Sequence, residues 1–275
     1  MLVTAGDSMK TKRNIAYISH GGGPMPLLGD PAHYQMVETL KEIASQIDKP
    51  SAILVISAHW ETRLPTVTSG TNPDIIYDYG GFPQAAYEIE YPARGEPVLA
   101  KSVVNSLKES GIDAVQDEQR GFDHGLFVPL KLMYPDADIP CVQLSLVNSL
   151  DAALHIQIGK ALQSLDYDNL LVIGSGFSFH NMRAFYNPET QESRAKNIAF
   201  DGWLRETISD EALLEEAREQ RLVSWSSAPG ARFCHPREEH LLPLHVCYGM
   251  ATKPSDKVLK AEIMKMQSSM FMWGV

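Results

Sequence analysis

Five histidines stand at the ends of apolar runs or in glycine-rich turns: His20, His59, His124, His180 and His240. Three of them share one pattern, in which an apolar run ends, small residues follow and a histidine appears: NIAYISHGGGP at His20, SAILVISAHW at His59 and LLVIGSGFSFHN at His180. A short β-branched apolar run predicts a buried strand. In a parallel α/β sheet the carboxyl ends of such strands form the edge where ligands bind. Neutral imidazole ligates divalent transition metals, and its ordinary pKa near 6.5 suits proton transfer at neutral pH. Several imidazoles on one strand edge therefore predict a metal site with an acid/base partner.

Each motif also has a plainer reading. The glycines of His20-Gly-Gly-Gly-Pro allow positive φ and a close approach to a bound group, or they make an ordinary turn. The segment has neither the lysine of a P-loop nor a GxGxxG spacing. In Ser57-Ala58-His59-Trp60-Glu61, His59 is a ligand or a satisfied, partly buried histidine, and Trp60 is expected to pack. Gly121-Phe122-Asp123-His124-Gly125 is a positioned acid/base or a solvated turn; neighbouring side chains point apart, so Asp123 need not bond His124. Ser175 lies directly between glycines, which does not match the G-x-S-x-G nucleophile elbow. His180 is the better candidate base there, with Asn181 to orient it.

In His235-Pro-Arg-Glu-Glu-His240, Pro236 suits a first helical turn and Glu238 and Glu239 complement its dipole. His235 and His240 are five residues apart and do not share a helix face. One of the two is expected to be structural; His240, beside the apolar Leu241 and Leu244, is favoured as the ligand, with Glu239 its rival as a carboxylate ligand and His235 the other alternative. His33, His155 and His245 lie inside helical patterns and read as ordinary residues. The aromatic segment Tyr77 to Pro83 walls a pocket for a planar substrate or simply packs. Arg63, Arg183 and Arg237 are candidates to meet a substrate carboxylate.

The elements that must position these residues follow from periodicity and punctuation. Strands are expected at Ile15–Ser19, Ala52–Ser57, Asp113–Val115, Ile139–Leu146 and Leu170–Gly174. Helices are expected at Tyr34–Ile47, Val98–Ser110, Leu126–Met133, Asp151–Leu165, in one or two pieces over Asn197–Arg218, and at His235–Met250. Pro73 to Pro97 reads as a long ordered loop, and the methionine-rich C-terminal tail as edge strands. Strands alternating with helices predict an α/β fold: a single domain over 1–275 with a central, mainly parallel or mixed sheet flanked by helices, preceded by a flexible extension at 1–13.

The chain has 275 residues, 44% of them hydrophobic, and a formal net charge of −10. That charge argues against a nucleic-acid partner, which needs clustered Lys and Arg. The three cysteines, Cys141, Cys234 and Cys247, have no paired spacing and suggest free thiols in a reducing compartment. No run approaches the roughly 20 apolar residues of a membrane span, and the N-terminus lacks the apolar core of a signal peptide. The expectation is a cytoplasmic protein with no membrane partner; the sequence sets no oligomeric state.

Taken together and in order, HGGGP, SAHW, YGGFPQAAYEIEYPARGEP, GFDHG, MYPDADIPCVQLSL, FHNMR and HPREEHLLPL resemble the motifs of class III (LigB-type) extradiol ring-cleaving dioxygenases, in the 4,5-DOPA dioxygenase-like branch. The resemblance runs from about Ile15 to the C-terminus. It implies a LigB-like fold and one divalent metal held by His20, His59 and His240. It implies His180 as the acid/base and His124 in the substrate site. Classical members use two His and a Glu at a ferrous ion, whereas the third position here is His240 with Glu239 beside it. Three imidazoles suit Zn(II) as well as Fe(II).

The implied substrates are a catechol, DOPA-like or otherwise substituted, and O2. The metal lowers the pKa of the catechol hydroxyls, His180 removes a hydroxyl proton, and His124 hydrogen-bonds substrate or dioxygen. Two rival readings use the same residues: a non-redox zinc-binding protein, and a zinc hydrolase with Glu239 or Asp123 as its base.

Overall fold

The fold is that of a computed structural model, which describes residues 13–187 and 189–274. Eight strands form one mixed sheet in the order β4-β3-β5-β2-β6-β1-β8-β7. They are β1 (Arg13–Ser19), β2 (Ala52–Thr62), β3 (Thr66–Thr68), β4 (Val115–Asp117), β5 (Cys141–Val147), β6 (Leu170–Gly176), β7 (Lys257–Ile263) and β8 (Met266–Trp273). The centre is parallel: β1 pairs with β6, β6 with β2 and β2 with β5. These strands are buried on both faces, so their sequences are continuous apolar runs rather than alternating ones. On the flanks β3 pairs antiparallel with β5 and parallel with the edge strand β4, and the β7–β8 hairpin lies antiparallel to β1.

Nine α-helices cover the sheet among the described residues: α1 (Tyr34–Ser45), α2 (Pro97–Glu109), α3 (His124–Met133), α4 (Ala152–Ala161), α5 (Met182–Tyr186), α6 (Gln191–Ser209), α7 (Glu215–Val223), α8 (Ala231–Cys234) and α9 (Leu242–Ala251). Their starts follow local chemistry. The Asp123 and Asp151 side chains accept from the first-turn amides of α3 and α4, and a proline stands in the first turn of α2 and of α9. One contiguous apolar core spans both faces of the sheet.

Several expectations change. The second strand runs on to Thr62, with its register against β5 broken between Ser57 and Glu61. His59 therefore stands inside a bulged strand rather than beyond its end; a bulge re-aims the side chain it carries. The final helix begins at Leu242, with Pro243 in its first turn, so Pro236 does not open it and His240 precedes it. The methionine-rich tail gives one edge strand, β7, but β8 is interior, paired on both sides. The three-residue β3 had no sequence signal. Arg13 already belongs to β1; the rest of the expected N-terminal extension lies outside the described residues.

Candidate active site

The five histidines converge at the carboxyl ends of β1, β2 and β6. His20 directly follows β1, and its amide donates to the Gly176 carbonyl across the β1–β6 pair at 3.1 Å. His124 opens α3, held there by its N-cap Asp123. Asp123 is fully buried and ties three segments together: its carboxylate accepts from Ser57 Oγ at 2.8 Å, from the Gly125 amide at 3.0 Å and from Gln143 Nε2. Burial and the neighbouring Asp78 charge push the Asp123 carboxyl above its ordinary pKa. It anchors the loop and does not touch the His124 ring.

His240 is held through its carbonyl, which accepts from Tyr17 Oη at 2.9 Å and from the Phe177 amide at 3.0 Å. This needs a strand without side chains beneath it. A Cβ on Gly176 would stand 2.1 Å from the His240 carbonyl oxygen. The Gly174-Ser-Gly176 triplet is therefore a seat for the His240 segment, not a nucleophile turn. Gly21, at φ +84, turns the chain after His20, and the buried His33 secures the turn by accepting from the Gly22 amide at 3.0 Å.

Three ring nitrogens face one another. His59 Nε2 lies 2.9 Å from His20 Nε2 and 3.3 Å from His240 Nε2. Their partners fix two of the tautomers. Ser175 Oγ donates to the Gly125 carbonyl, so its oxygen accepts from His20 Nδ1–H at 3.0 Å. His240 Nδ1–H donates to Glu239 Oε1 at 3.0 Å. Both rings therefore turn an Nε2 lone pair toward His59. Burial, then the other imidazoles, drives His20 and His59 well below their ordinary pKa; burial and then His180 pull His240 down to about 3. Neutral imidazoles with convergent lone pairs fit a divalent cation. Two nitrogens about 2.0–2.1 Å from one ion, at right or tetrahedral angles, stand roughly 2.9–3.4 Å apart.

By separation alone, two trios of metal-capable residues emerge, His20–His59–His124 and His180–Glu239–His240. The approach of the His20 and His240 Nε2 atoms to His59 Nε2 makes His20–His59–His240 a third candidate trio. His180 stacks on His240 with centroids 3.4 Å apart at 13°, and His124 stands against His59 with centroids 3.8 Å apart at a tilt of 43°. Each faces a carboxylate at Nδ1: His124 is hydrogen-bonded to Asp78 at 2.8 Å, and His180 lies 3.4 Å from Glu239 Oε1. Burial alone would raise Asp78 and Glu239; their histidine contacts instead hold Asp78 below and Glu239 well below the ordinary carboxyl range.

The histidines floor a cavity of about 280 Å³. Its walls are Gly21 to Gly23, Met25, Tyr79, Gly80, Phe82, Phe177, Met182, Phe185, Tyr186 and Met264. The Tyr77-to-Pro83 segment thus does wall a pocket, with Tyr79 edge-on to Phe82 and to His124. Met264 comes from the tip of the β7–β8 hairpin, which no sequence signal linked to the site. A neighbouring cleft of about 510 Å³ shares His180 and Met182 and adds Arg183, Arg237 and Glu239.

The sequence candidates sort clearly. Asn181 caps α5 and donates to the Phe233 carbonyl, so it does not orient His180. His235 is buried, with Nε2 bonded to the Ser178 carbonyl at 2.9 Å, outside the cluster. Arg237 is engaged in a two-pronged pair with Glu61 at 2.5 and 2.7 Å. Arg63 lines neither cavity, and Arg183 lines the cleft beside His180. Asp78, which no local spacing could mark, stands 46 residues before its partner His124. The three cysteines are buried free thiols, and no helix among the described residues is long and apolar enough to cross a membrane.

Residues 14–272 match the family described as the catalytic LigB subunit of aromatic ring-opening dioxygenase. Among curated proteins, the chain is 42% identical over 254 residues to dioxygenase tasH of Hapsidospora irregularis, covering 85% of this chain and 76% of that protein. It is 41% identical over 250 residues to the 4,5-DOPA dioxygenase extradiol of Beta vulgaris, covering 90% and 88%. The Escherichia coli (strain K12) protein of the same name is 34% identical over 234 residues, covering 85% and 83%. Among solved structures, an uncharacterized protein of Escherichia coli K12 superposes with a TM-score of 0.75 at 28% identity, covering 94% of this chain and 99% of that one.

Proposed function

This chain belongs to the LigB family of extradiol, aromatic ring-opening dioxygenases, and on that premise we propose that it opens the ring of a catechol with O2 at a single divalent metal held by His20, His59 and His240. The observation that carries the reading is the mutual approach of their three Nε2 atoms, at 2.9 and 3.3 Å, with the Nδ1 atoms of His20 and His240 occupied elsewhere. Fe(II) is the metal of turnover, and Zn(II) is an alternative occupant of an all-imidazole site. Bound there, the metal supplies Lewis acidity that lowers the pKa of the catechol hydroxyls and brings the redox capacity for dioxygen.

The chain's own residues supply orientation and protons. Tyr79, Phe82 and Phe177 offer faces and edges to an aromatic ring, and the apolar walls with Met264 exclude water. His180, held at Nδ1, keeps Nε2 free to take a proton from the substrate hydroxyl. His124, held at Nδ1 by Asp78, stands against His59 on the opposite side, with its Nε2 placed to accept a hydrogen bond from the substrate or from protonated oxygen. The carbon–carbon bond beside the two hydroxyl-bearing carbons breaks. Both atoms of O2 remain in the product, one in an aldehyde and one in a carboxylate.

In the hydrolase reading both candidate bases are engaged: Glu239 Oε1 faces two imidazoles and its Oε2 lies 3.3 Å from Arg237, and Asp123 is buried in structural hydrogen bonds. Free buried thiols support a reducing, cytoplasmic setting. The test is oxygen uptake by full-length protein reconstituted anaerobically with Fe(II), against a zinc-loaded control, over a panel of catechols. Uptake with Fe(II) alone and a yellow ring-opened product is the expected result. No uptake across the panel with stoichiometric Fe(II) bound overturns the reading.

A further inference from the structure

The two imidazoles that flank the ligand candidates each face a carboxylate, and the two carboxylates are 161 positions apart in the chain. Glu239 Oε1 lies 3.0 Å from His240 Nδ1 and 3.4 Å from His180 Nδ1. Asp78 Oδ1 lies 2.8 Å from His124 Nδ1, and its other oxygen is 3.9 Å from His59 Nδ1. In each case the two imidazoles reached by one carboxylate are a pair whose ring centroids stand within 3.8 Å, stacked for His180 and His240 and tilted for His59 and His124. We propose that Glu239 and Asp78 are paired positioning residues, each fixing the tautomer and tilt of one flanking histidine, and that Glu239 also orients the metal ligand His240.

A carboxylate at Nδ1 requires the proton on that nitrogen and leaves the Nε2 lone pair for the cavity. Glu239 does this for a ligand and a base at once. Arg237, gripped by both oxygens of Glu61, stands 3.3 Å from Glu239 Oε2 as an ion-pair contact. Glu61 leaves the β2 bulge two residues after His59. The HPREEH and SAHWE segments are therefore joined by a carboxylate–guanidinium–carboxylate chain as well as by their histidines. Asp78 also accepts from the His124 amide at 3.0 Å, which fixes its oxygen at the start of α3. At 3.9 Å its hold on His59 is weak, so the two carboxylates have unequal consequences.

The inference rests on His20, His59 and His240 as the metal ligands and is tested separately from that assignment. Zn(II) affinity of the full chain is measured by chelator competition, and kcat and KM are measured at saturating Fe(II) with a cleaved catechol. Glu239→Leu is expected to raise the Zn(II) dissociation constant about 10- to 100-fold and also to lower kcat at saturating metal, with KM changed less than about threefold. Asp78→Leu is expected to lower kcat by a similar factor while leaving Zn(II) affinity within about threefold. Glu239→Gln and Asp78→Asn keep an accepting oxygen and recover most of each loss, which a merely space-filling role would not produce.

Wild-type kcat in Glu239→Leu, or equal loss of Zn(II) affinity in both leucine variants, overturns the proposal. A second measurement needs no variant. Long-range 15N–1H correlation spectra of the zinc-loaded chain are expected to show His124, His180 and His240 protonated at Nδ1. An Nε2–H tautomer at His124 or His180 overturns it equally. Full metal retention by His240→Ala would instead overturn the ligand assignment.

Discussion

Gly176→Ala places a methyl group where the backbone of the third metal-ligand candidate now rests. The new Cβ would stand 2.1 Å from the His240 carbonyl oxygen, against 3.4 Å for the near limit of ordinary contact. The His240 segment must therefore retreat by about 1.3 Å, because β6 is clamped between β1 and β2 and cannot. Retreat stretches the two hydrogen bonds that the carbonyl receives from Tyr17 and Phe177. Overpacking of this kind costs about 1–3 kcal/mol, and each weakened hydrogen bond about 1 kcal/mol.

The functional cost is sharper than the stability cost, since metal–ligand distances tolerate only about 0.2 Å. A displaced His240 should weaken Zn(II) binding at least roughly 100-fold, or about 2.7 kcal/mol. The control is Gly174→Ala, whose Cβ would meet Cys247 Sγ at 2.6 Å and the Pro243 carbonyl at 2.7 Å, three residues beyond the ligand. Zn(II) affinity by chelator competition and thermal melting by circular dichroism separate the two. Both variants should melt lower, and only Gly176→Ala should lose the metal. A Gly176→Ala protein that binds Zn(II) like wild type would refute the claim that this glycine seats the ligand.

Elemental analysis of His20→Ala, His59→Ala and His240→Ala should find the metal lost, while His180→Ala keeps it and loses turnover by about 10²–10⁴-fold; full metal in all three ligand variants would sink the assignment. His155 offers a pH test away from the site. It is buried, accepts from the Val147 amide at 3.1 Å, and burial pulls its pKa down to about 4. Its folded pKa lies below the unfolded value near 6.5, so unfolding takes up a proton between those limits. The stability it contributes is complete above about pH 6.5 and drains away, at up to roughly 1.4 kcal/mol per pH unit, as pH falls toward 4. In urea titrations His155→Gln should flatten that slope by about one proton; an unchanged slope would contradict the assignment.

The central strands were legible because burial on both faces leaves a continuous apolar run, as in Ile53 to Ile56 and Leu170 to Ile173. The histidines were legible because a residue that follows such a run in a parallel sheet reaches the common ligand edge wherever it falls in the chain. The sequence by itself thus determined the α/β class, the family motifs and the five candidate imidazoles.

Only the tertiary structure decided what turns and supports them. The bulge that aims His59 is a register break against β5, a property of two strands rather than one. α9 begins at Leu242, packed against the glycines of β6, so Pro243 rather than Pro236 stands in its first turn. Asn181 looked suited to orient His180 because it is adjacent, yet its side chain caps α5 and donates to the Phe233 carbonyl, and Glu239 reaches His180 from 59 positions away. Asp78 and Met264 reach the site from an aromatic loop and a hairpin tip. Hydrogen-bond partners, unlike apolar periodicity, are chosen by proximity in space, and a one-dimensional pattern carries no record of that proximity.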